Sequence, residues 1–426
     1  MTETEDAPQE WTEKTIEEIT NLQRDNIPSD EQGGLPHVGL EHLEQFSPRI
    51  SSESSENVSS NKYKFERGDI LFGQIRSYLE KVCIADRDGV CSTDIFVIEP
   101  DEVNRWYLWS LLLSDDVNRW SQRASTGTKM PRVQWDAFSN KHVSVPPVGE
   151  QERIASVLYT VDQNVEALDQ RHSDLQDLKH ALMQDLLFGR RRLVEGDQTE
   201  SAASISGNGS ELTCDEIPSD WDLEMLGDVC KVNASIDAES DEVEYLPMDA
   251  LNEELPWPDY TQKRNPNEHS GTLFKEQDTL VAKITPCAEN GKSALITDLD
   301  SEFGIATTEV ITLTPTDINP KYLYYYAISH PSKNYTVSRM RGTSGRQRVP
   351  KSVFEQELKI PVPSGDEQER IASVLYTVDE MIARTSELRD EYEQAKRGLM
   401  QDLLSGKVRT PNSLQPTHHV HATTQL

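Results

Sequence analysis

The side chains best placed to do chemistry in this chain are cations grouped where acids are missing. Residues 318–354 contain no Asp or Glu yet carry Lys321, Lys333, Arg339, Arg341, Arg346, Arg348 and Lys351. Residues 117–135 contain none either, and carry Arg119, Arg123, Lys129 and Arg132. The two stretches match, since Arg132-Val133 aligns with Arg348-Val349 and Phe138 with Phe354. Such segments suit a polyanion, because each Lys or Arg beside a phosphate gains by releasing counterions. Arginine forks fit guanine edges and lysines act on phosphates as point charges, so Arg76, Arg132, Arg346 and Arg348 are the preferred base-reading candidates. Lys81 and Lys292, matched after the second strand-like run of each half, are either phosphate contacts or ordinary solvated lysines. With Lys283 they complete the cationic set. Gly127-Thr128 and Gly342-Thr343-Ser344-Gly345 read as loops through which backbone could approach phosphates. The competing reading is a basic surface that pairs with acids elsewhere in the fold.

Those cations stand out against a strongly acidic background. The 426 residues include 74 Asp and Glu against 42 Lys and Arg, a formal charge of -32. Average charge alone would repel nucleic acid, so either the protein avoids anions or it carries an acidic surface of the halophile kind, in which salt screens self-repulsion. A mean hydropathy of -0.64 and the lack of any long apolar run argue against a membrane protein. The acidic start MTETEDAPQEWTE lacks the form of a signal peptide, and a cytoplasmic location is expected. Five cysteines without a C-x-x-C pair argue against structural zinc and a disulfide scaffold.

An internal duplication organises the elements that must position these cations. EQERIASVLYTVD occupies residues 150–162 and recurs letter for letter at 367–379. At the same offset MQDLL at 183–187 matches 400–404, and Gly189 matches Gly406. Upstream, DILFGQI (69–75) matches DTLVAKI (278–284) and STDIFVIEP (92–100) matches TTEVITLTP (307–315) in weaker form. Short β-like runs and helical stretches such as 103–122 and 321–332 make each half a small α/β module.

Apolar residues after Ile154 and Ile371 recur at mostly 4-3 spacing, the pattern of a coiled-coil seam. That seam takes in Leu178 and Ala395, with Arg153, Asp162, Gln163 and Glu166 facing outward. Neither segment contains proline, so each can be one helix about 57 Å long. Gly189 and Gly406 supply left-handed stops. The fold class is α+β: two α/β modules joined by two long antiparallel coiled-coil helices, with pseudo-two-fold duplication. The expected divisions are a first module at 1–149, a central helix at 150–194, a flexible linker at 195–213, a second module at 214–366, a distal helix at 367–410 and a disordered tail at 411–426.

Catalytic and metal motifs are weak. No G-x-x-x-x-G-K-[ST] loop and no Asn-Pro-Pro-aromatic stretch occurs. Asp259 with Glu357-x-Lys359 is a chance-level nuclease string, and His37 and His42 lack the spacing that places two ligands on one helical face. His418, His419 and His421 sit in a Pro/Thr-rich tail.

With these repeats in place, the chain resembles the specificity subunit of type I restriction-modification systems. The most specific carriers are Pro146, Pro147, Glu150, Gln151, Arg153 and Ile154 with Met183-Gln184-Asp185-Leu186-Leu187. They recur as Pro363, Glu367, Gln368, Arg370 and Ile371 with Met400-Gln401-Asp402-Leu403-Leu404. The resemblance implies two target-recognition domains, each reading half of a bipartite asymmetric site in double-stranded DNA, with helices that set the spacer. It implies two modification (methyltransferase) subunits and restriction (translocase/endonuclease) subunits as partners. S-adenosylmethionine, ATP and Mg would be bound by those partners, with no cofactor and no catalysis in this chain. Identity at Glu150, Gln151, Arg153, Asp185, Glu367, Gln368, Arg370 and Asp402 then reads as two equivalent docking surfaces. The alternatives are a coiled-coil adaptor between two proteins and a stand-alone nuclease.

Overall fold

The computed structural model describes residues 8–193, 217–237, 240–268, 270–343, 345–417 and 420. The expected linker at 195–213 lies outside them, as do Ser344, His418, His419 and His421. The chain divides into two compact units, one built from residues up to 169 together with those from 388 onward, the other from residues 170–387. Each unit therefore contains one module, the first half of one long helix and the second half of the other.

In the first unit an antiparallel sheet runs in the order Thr20–Gln23, Ile95–Pro100, Ile70–Gly73, Val82–Ile84. In the second unit the order is Cys230–Val232, Val310–Pro315, Thr279–Ala282, Ser293–Leu295. These are the duplicated strand runs, and both form the same topology. Ile70 and Leu71 against Val97 and Ile98 leave no polar alternation, because the strands are covered on both faces. A second sheet in each module contains one parallel pairing, Pro36–Val38 beside Gly89–Cys91 and Val243–Leu246 beside Gly304–Ala306.

The long helices span Val148–Leu186 and Gly365–Leu404. Gly398 lies inside the second without breaking it, and a side chain there would meet open space. In the first unit Ile154 and Leu158 share a core with Met400, Leu403, Tyr107 and Trp109. In the second, Met183 and Leu186 do so with Ile371, Leu375, Tyr322 and Tyr326. Each such aliphatic side chain contributes about 1.5–3 kcal/mol on full burial.

The helix seam departs from the apolar pattern at one position of each copy. Leu178 is 46% exposed and Ala395 is exposed, while the next residues, Lys179 and Lys396, are buried. Asp162, expected to face outward, is buried as well. Lys396 Nζ stands 2.7 Å from Asp162 Oδ1, and Lys179 Nζ 2.5 Å from Asp379 Oδ1. Within each unit the helix segments run antiparallel: Asp162 meets Lys396 and Asp169 meets Arg389 in one, while His172 meets Ser386 and Lys179 meets Asp379 in the other.

Part of the tail packs against the first unit. Thr417 N–H donates to Ser156 Oγ at 2.9 Å, and Val420 belongs to the first unit's core.

Candidate nucleic-acid interface

Each acid-free stretch begins in helix and ends in a hairpin beside the turn that follows Ile70–Gly73 or Thr279–Ala282. In the first module Ser125 and Thr126 pair with Val133 and Arg132, and Ile75 bridges Arg132. In the second, Arg341 pairs with Arg348 and Ile284 bridges Arg348. Gly127 and Gly342 make the reversals, at φ +100° and +130°, where a Cβ would press on the carbonyls of Met130 and Arg346. Val133 N–H donates to the Gln74 carbonyl at 2.9 Å and Val349 N–H to the Lys283 carbonyl at 2.8 Å. The two hairpins are thus hung on their sheets by the same bonds.

The structure separates the candidate cations into free and committed groups. Arg76, Arg123, Lys129, Arg341 and Arg346 are exposed, and Lys283 is half-buried. Among the described residues none of these six side chains forms an ion pair or donates a hydrogen bond. Arg76 adopts a left-handed backbone, φ 54°, so that the chain turns at the hairpin's flank. The others have partners within the fold. Lys81 Nζ donates to the Leu40 carbonyl at 2.6 Å, and its counterpart Lys292 to those of Leu251 and Met248 at 3.1 and 3.3 Å. Both lysines tether a neighbouring loop through its backbone carbonyls. Arg339 pairs with Glu357 at 3.1 Å and lies over the Tyr335 ring, and Lys351 pairs with Glu355 at 2.7 Å.

Arg132 and Arg348, two of the preferred base readers, are also committed. Arg348 donates to both oxygens of Glu309 at 2.8 and 2.7 Å, and Arg132 forms an ion pair with Asp94. Asp94 and Glu309 end the matched Ser-Thr-Asp and Thr-Thr-Glu runs. The Arg348 fork holds the Glu309 carboxyl below its ordinary range. The guanidinium that would form a bidentate contact to guanine is therefore already engaged, and the pair latches hairpin to sheet.

The repeated helix entry forms an internal joint in each unit. Glu150 and Glu367 are buried; each accepts an indole N–H at 3.1 Å, from Trp11 and Trp221 respectively. Arg409 and Arg192, themselves matched across the duplication, close the other side with bonds of 2.5–2.8 Å. Gln151 accepts from Asn104 N–H at 2.8 Å and donates to the Pro146 carbonyl at 2.9 Å; Gln368 does the same with Asn319 and Pro363. Asn104 and Asn319 in turn cap helices Arg105–Leu113 and Pro320–Ile328. Arg153 reaches Thr410 Oγ1 and Arg370 the Leu193 carbonyl. Only Asp185 and Asp402 of the proposed docking set keep half-exposed side chains away from these joints.

One arrangement has the order of a hydrolase triad. Ser386 Oγ lies 3.0 Å from His172 Nδ1, and His172 Nε2 lies 2.8 Å from Glu254 Oε1. Ser386 sits in mid-helix, where backbone N–H groups are used by the helix and none can stabilise an oxyanion. These groups strut the module against its helices. Of the nuclease string, Asp259 accepts from Asn252 and Glu357 is held by Arg339. His42 Nδ1 accepts from Gly39 N–H at 2.9 Å, a local turn bond. Among the described residues no group of three His, Cys, Asp or Glu is placed to hold a metal ion, and no helix is long and apolar enough to cross a membrane.

Comparison with known proteins completes the site's description. The family model described as the type I restriction modification DNA specificity domain matches residues 8–176 and again 218–394. The EcoAI specificity subunit of Escherichia coli is 34% identical over 165 residues, 37% of this chain. The chain spans only 27% of the length of that relative and 33% of that of the EcoEI subunit. The MjaVIII specificity subunit of Methanocaldococcus jannaschii is 23% identical over 89% of this chain and 91% of its own. The S subunit of a type I system from M. genitalium has a similar fold, with TM-score 0.58 and 14% identity over 95% of this chain and 98% of that one.

Proposed function

The chain belongs to the family of type I restriction modification DNA specificity domains, and from that premise we propose that it is the non-catalytic DNA-reading subunit of a type I complex. Each module reads one half of a bipartite asymmetric site, and the two long helices set the spacer between halves. The observation that carries this reading is the pair of equivalent hairpins, each hung on the end of the same inner strand and each presenting free cations in an otherwise acidic chain. Adenine methylation belongs to two modification subunits, and ATP-driven cleavage to restriction subunits. S-adenosylmethionine, ATP and Mg reside in those partners. The modification subunits dock on outward residues of the helices that include Asp185 and Asp402, since the repeated Glu-Gln-x-Arg groups are used inside the fold.

The test is adenine methylation mapping of DNA from cells carrying this gene and its modification partner, compared with deletion of this chain alone. A split asymmetric motif that vanishes in the deletion is the expected outcome. Methylation that persists unchanged would favour a protein adaptor without DNA reading.

A further inference from the structure

The two modules share a scaffold at the hairpin tip and differ in what it presents. Arg76 N–H donates to the Pro131 carbonyl at 3.2 Å, and Thr285 N–H to that of Gln347 at 3.0 Å. Counting along the chain from these paired bonds sets Tyr78 opposite Cys287 and Met130 opposite Arg346. Met130 at 59% and Tyr78 at 51% are the two most exposed large apolar side chains among the described residues. Met130 lies in the hairpin's turn next to Lys129, and Tyr78 follows two residues after Arg76, whose N–H reaches the Pro131 carbonyl of that turn. The Asp94–Arg132 and Glu309–Arg348 latches behind the tips are alike in both modules.

Scaffold kept and tip changed is the pattern expected of a selector. A cationic rim with an apolar centre fits a surface that offers phosphates around an apolar group. In duplex DNA that group is the thymine methyl in the major groove, whereas an arginine at the same place fits the O6 and N7 of guanine. We propose that Met130 and Tyr78 are the specificity-determining residues of the first module, reading a thymine methyl, and that Arg346 reads a guanine at the equivalent place in the second. This rests on the DNA-reading function above and assigns determinants within it.

The experiment uses the full chain assembled with its modification subunits. Motif mapping is done for wild type, Met130→Ala and the Tyr78→Ala/Met130→Ala double variant. The expected result is relaxation at one A·T pair of one half-site, with the other half-site intact. Deoxyuridine at that thymine should weaken wild-type binding by roughly fourfold, the worth of one buried methyl, and should leave binding by the Tyr78→Ala/Met130→Ala double variant unchanged. Because the base substitution alters only the DNA, it tests the contact even where a variant folds poorly. A half-site unchanged in both variants, or equal deoxyuridine effects in wild type and the double variant, would overturn the assignment while the DNA-reading function stands. A wild-type complex that yields no split motif would overturn both.

Discussion

Lys396 Nζ and Asp162 Oδ1 stand 2.7 Å apart with side chains 2% and 7% exposed, and the duplication maps this pair crosswise onto Lys179 and Asp379. Each pair joins the aspartate of one repeat to the lysine of the other. Burial pushes the Asp162 carboxyl up and the Lys396 ammonium down, and their mutual attraction partly offsets both. Lys396 also donates to the Phe46 carbonyl at 2.8 Å and lies over the Phe46 ring. Removing one partner leaves a buried charge uncompensated, at a cost of about 3–5 kcal/mol. Asp162→Asn should therefore lower the unfolding midpoint strongly in chemical denaturation, while Asp162→Leu with Lys396→Met should recover most of the loss. Equal midpoints for the single and double variants would show that the ion pair does not carry the helix register.

The buried glutamines carry a second prediction. Gln151 and Gln368 each satisfy the backbone N–H of an asparagine that caps a module helix. Replacing either by Ala strands that N–H and a proline carbonyl, each loss costing about 1–3 kcal/mol. Gln151→Ala and Gln368→Ala should each lower the melting temperature by a similar amount, since the joints are equivalent. A drop in one variant alone would mean that the two joints are not energetically matched.

These joints also mark where sequence reasoning reached and where it stopped. The duplication, the two helices and the paired basic stretches are local patterns, and repeat offset and apolar spacing reveal them. Whether a given cation is free is decided by long-range approach: Arg132 meets Asp94 38 residues away, and Arg348 meets Glu309 39 residues away. Matching the Asp of Ser-Thr-Asp to the Glu of Thr-Thr-Glu, both opposite a matched Arg, was the available signal for the latch. Identity of Glu150 and Gln151 across the repeats was legible, but its cause was a buried joint with Trp11, Arg409 and Asn104. Lys179 and Lys396 were hidden because an apolar pattern prefers Leu178 and Ala395, while their aspartate partners lie on the other repeat.

Asp69 predicts a pH dependence. Burial raises its carboxyl to about 6, against the opposing effect of the Glu66 N–H it accepts at 2.8 Å. A carboxyl held above its unfolded value binds more protons in the folded state. Its stabilising protonation is present below about pH 4 and is lost as pH rises through about 6. Asp69→Asn keeps an acceptor for Glu66 and removes the buried charge. The variant should be more stable than wild type at pH 8, by about 1–3 kcal/mol, and indistinguishable from it near pH 4. Urea titrations at the two pH values read the difference, and a variant less stable at pH 8 would show that the carboxylate is needed ionised.

Free and latched arginines should differ in their salt dependence. Arg341 has no acid partner among the described residues, so a phosphate contact by its guanidinium releases a counterion. Arg341→Ala should leave the melting temperature unchanged and reduce the slope of log affinity against log salt by about 1. Arg348 is neutralised by Glu309, and Glu309→Gln frees its fork for a phosphate. That variant should bind DNA more tightly at low salt and steepen the slope by about 1. Fluorescence anisotropy of a labelled duplex across a salt series measures both. Slopes that move in the same direction would mean that the Glu309 latch does not control which arginines reach the DNA.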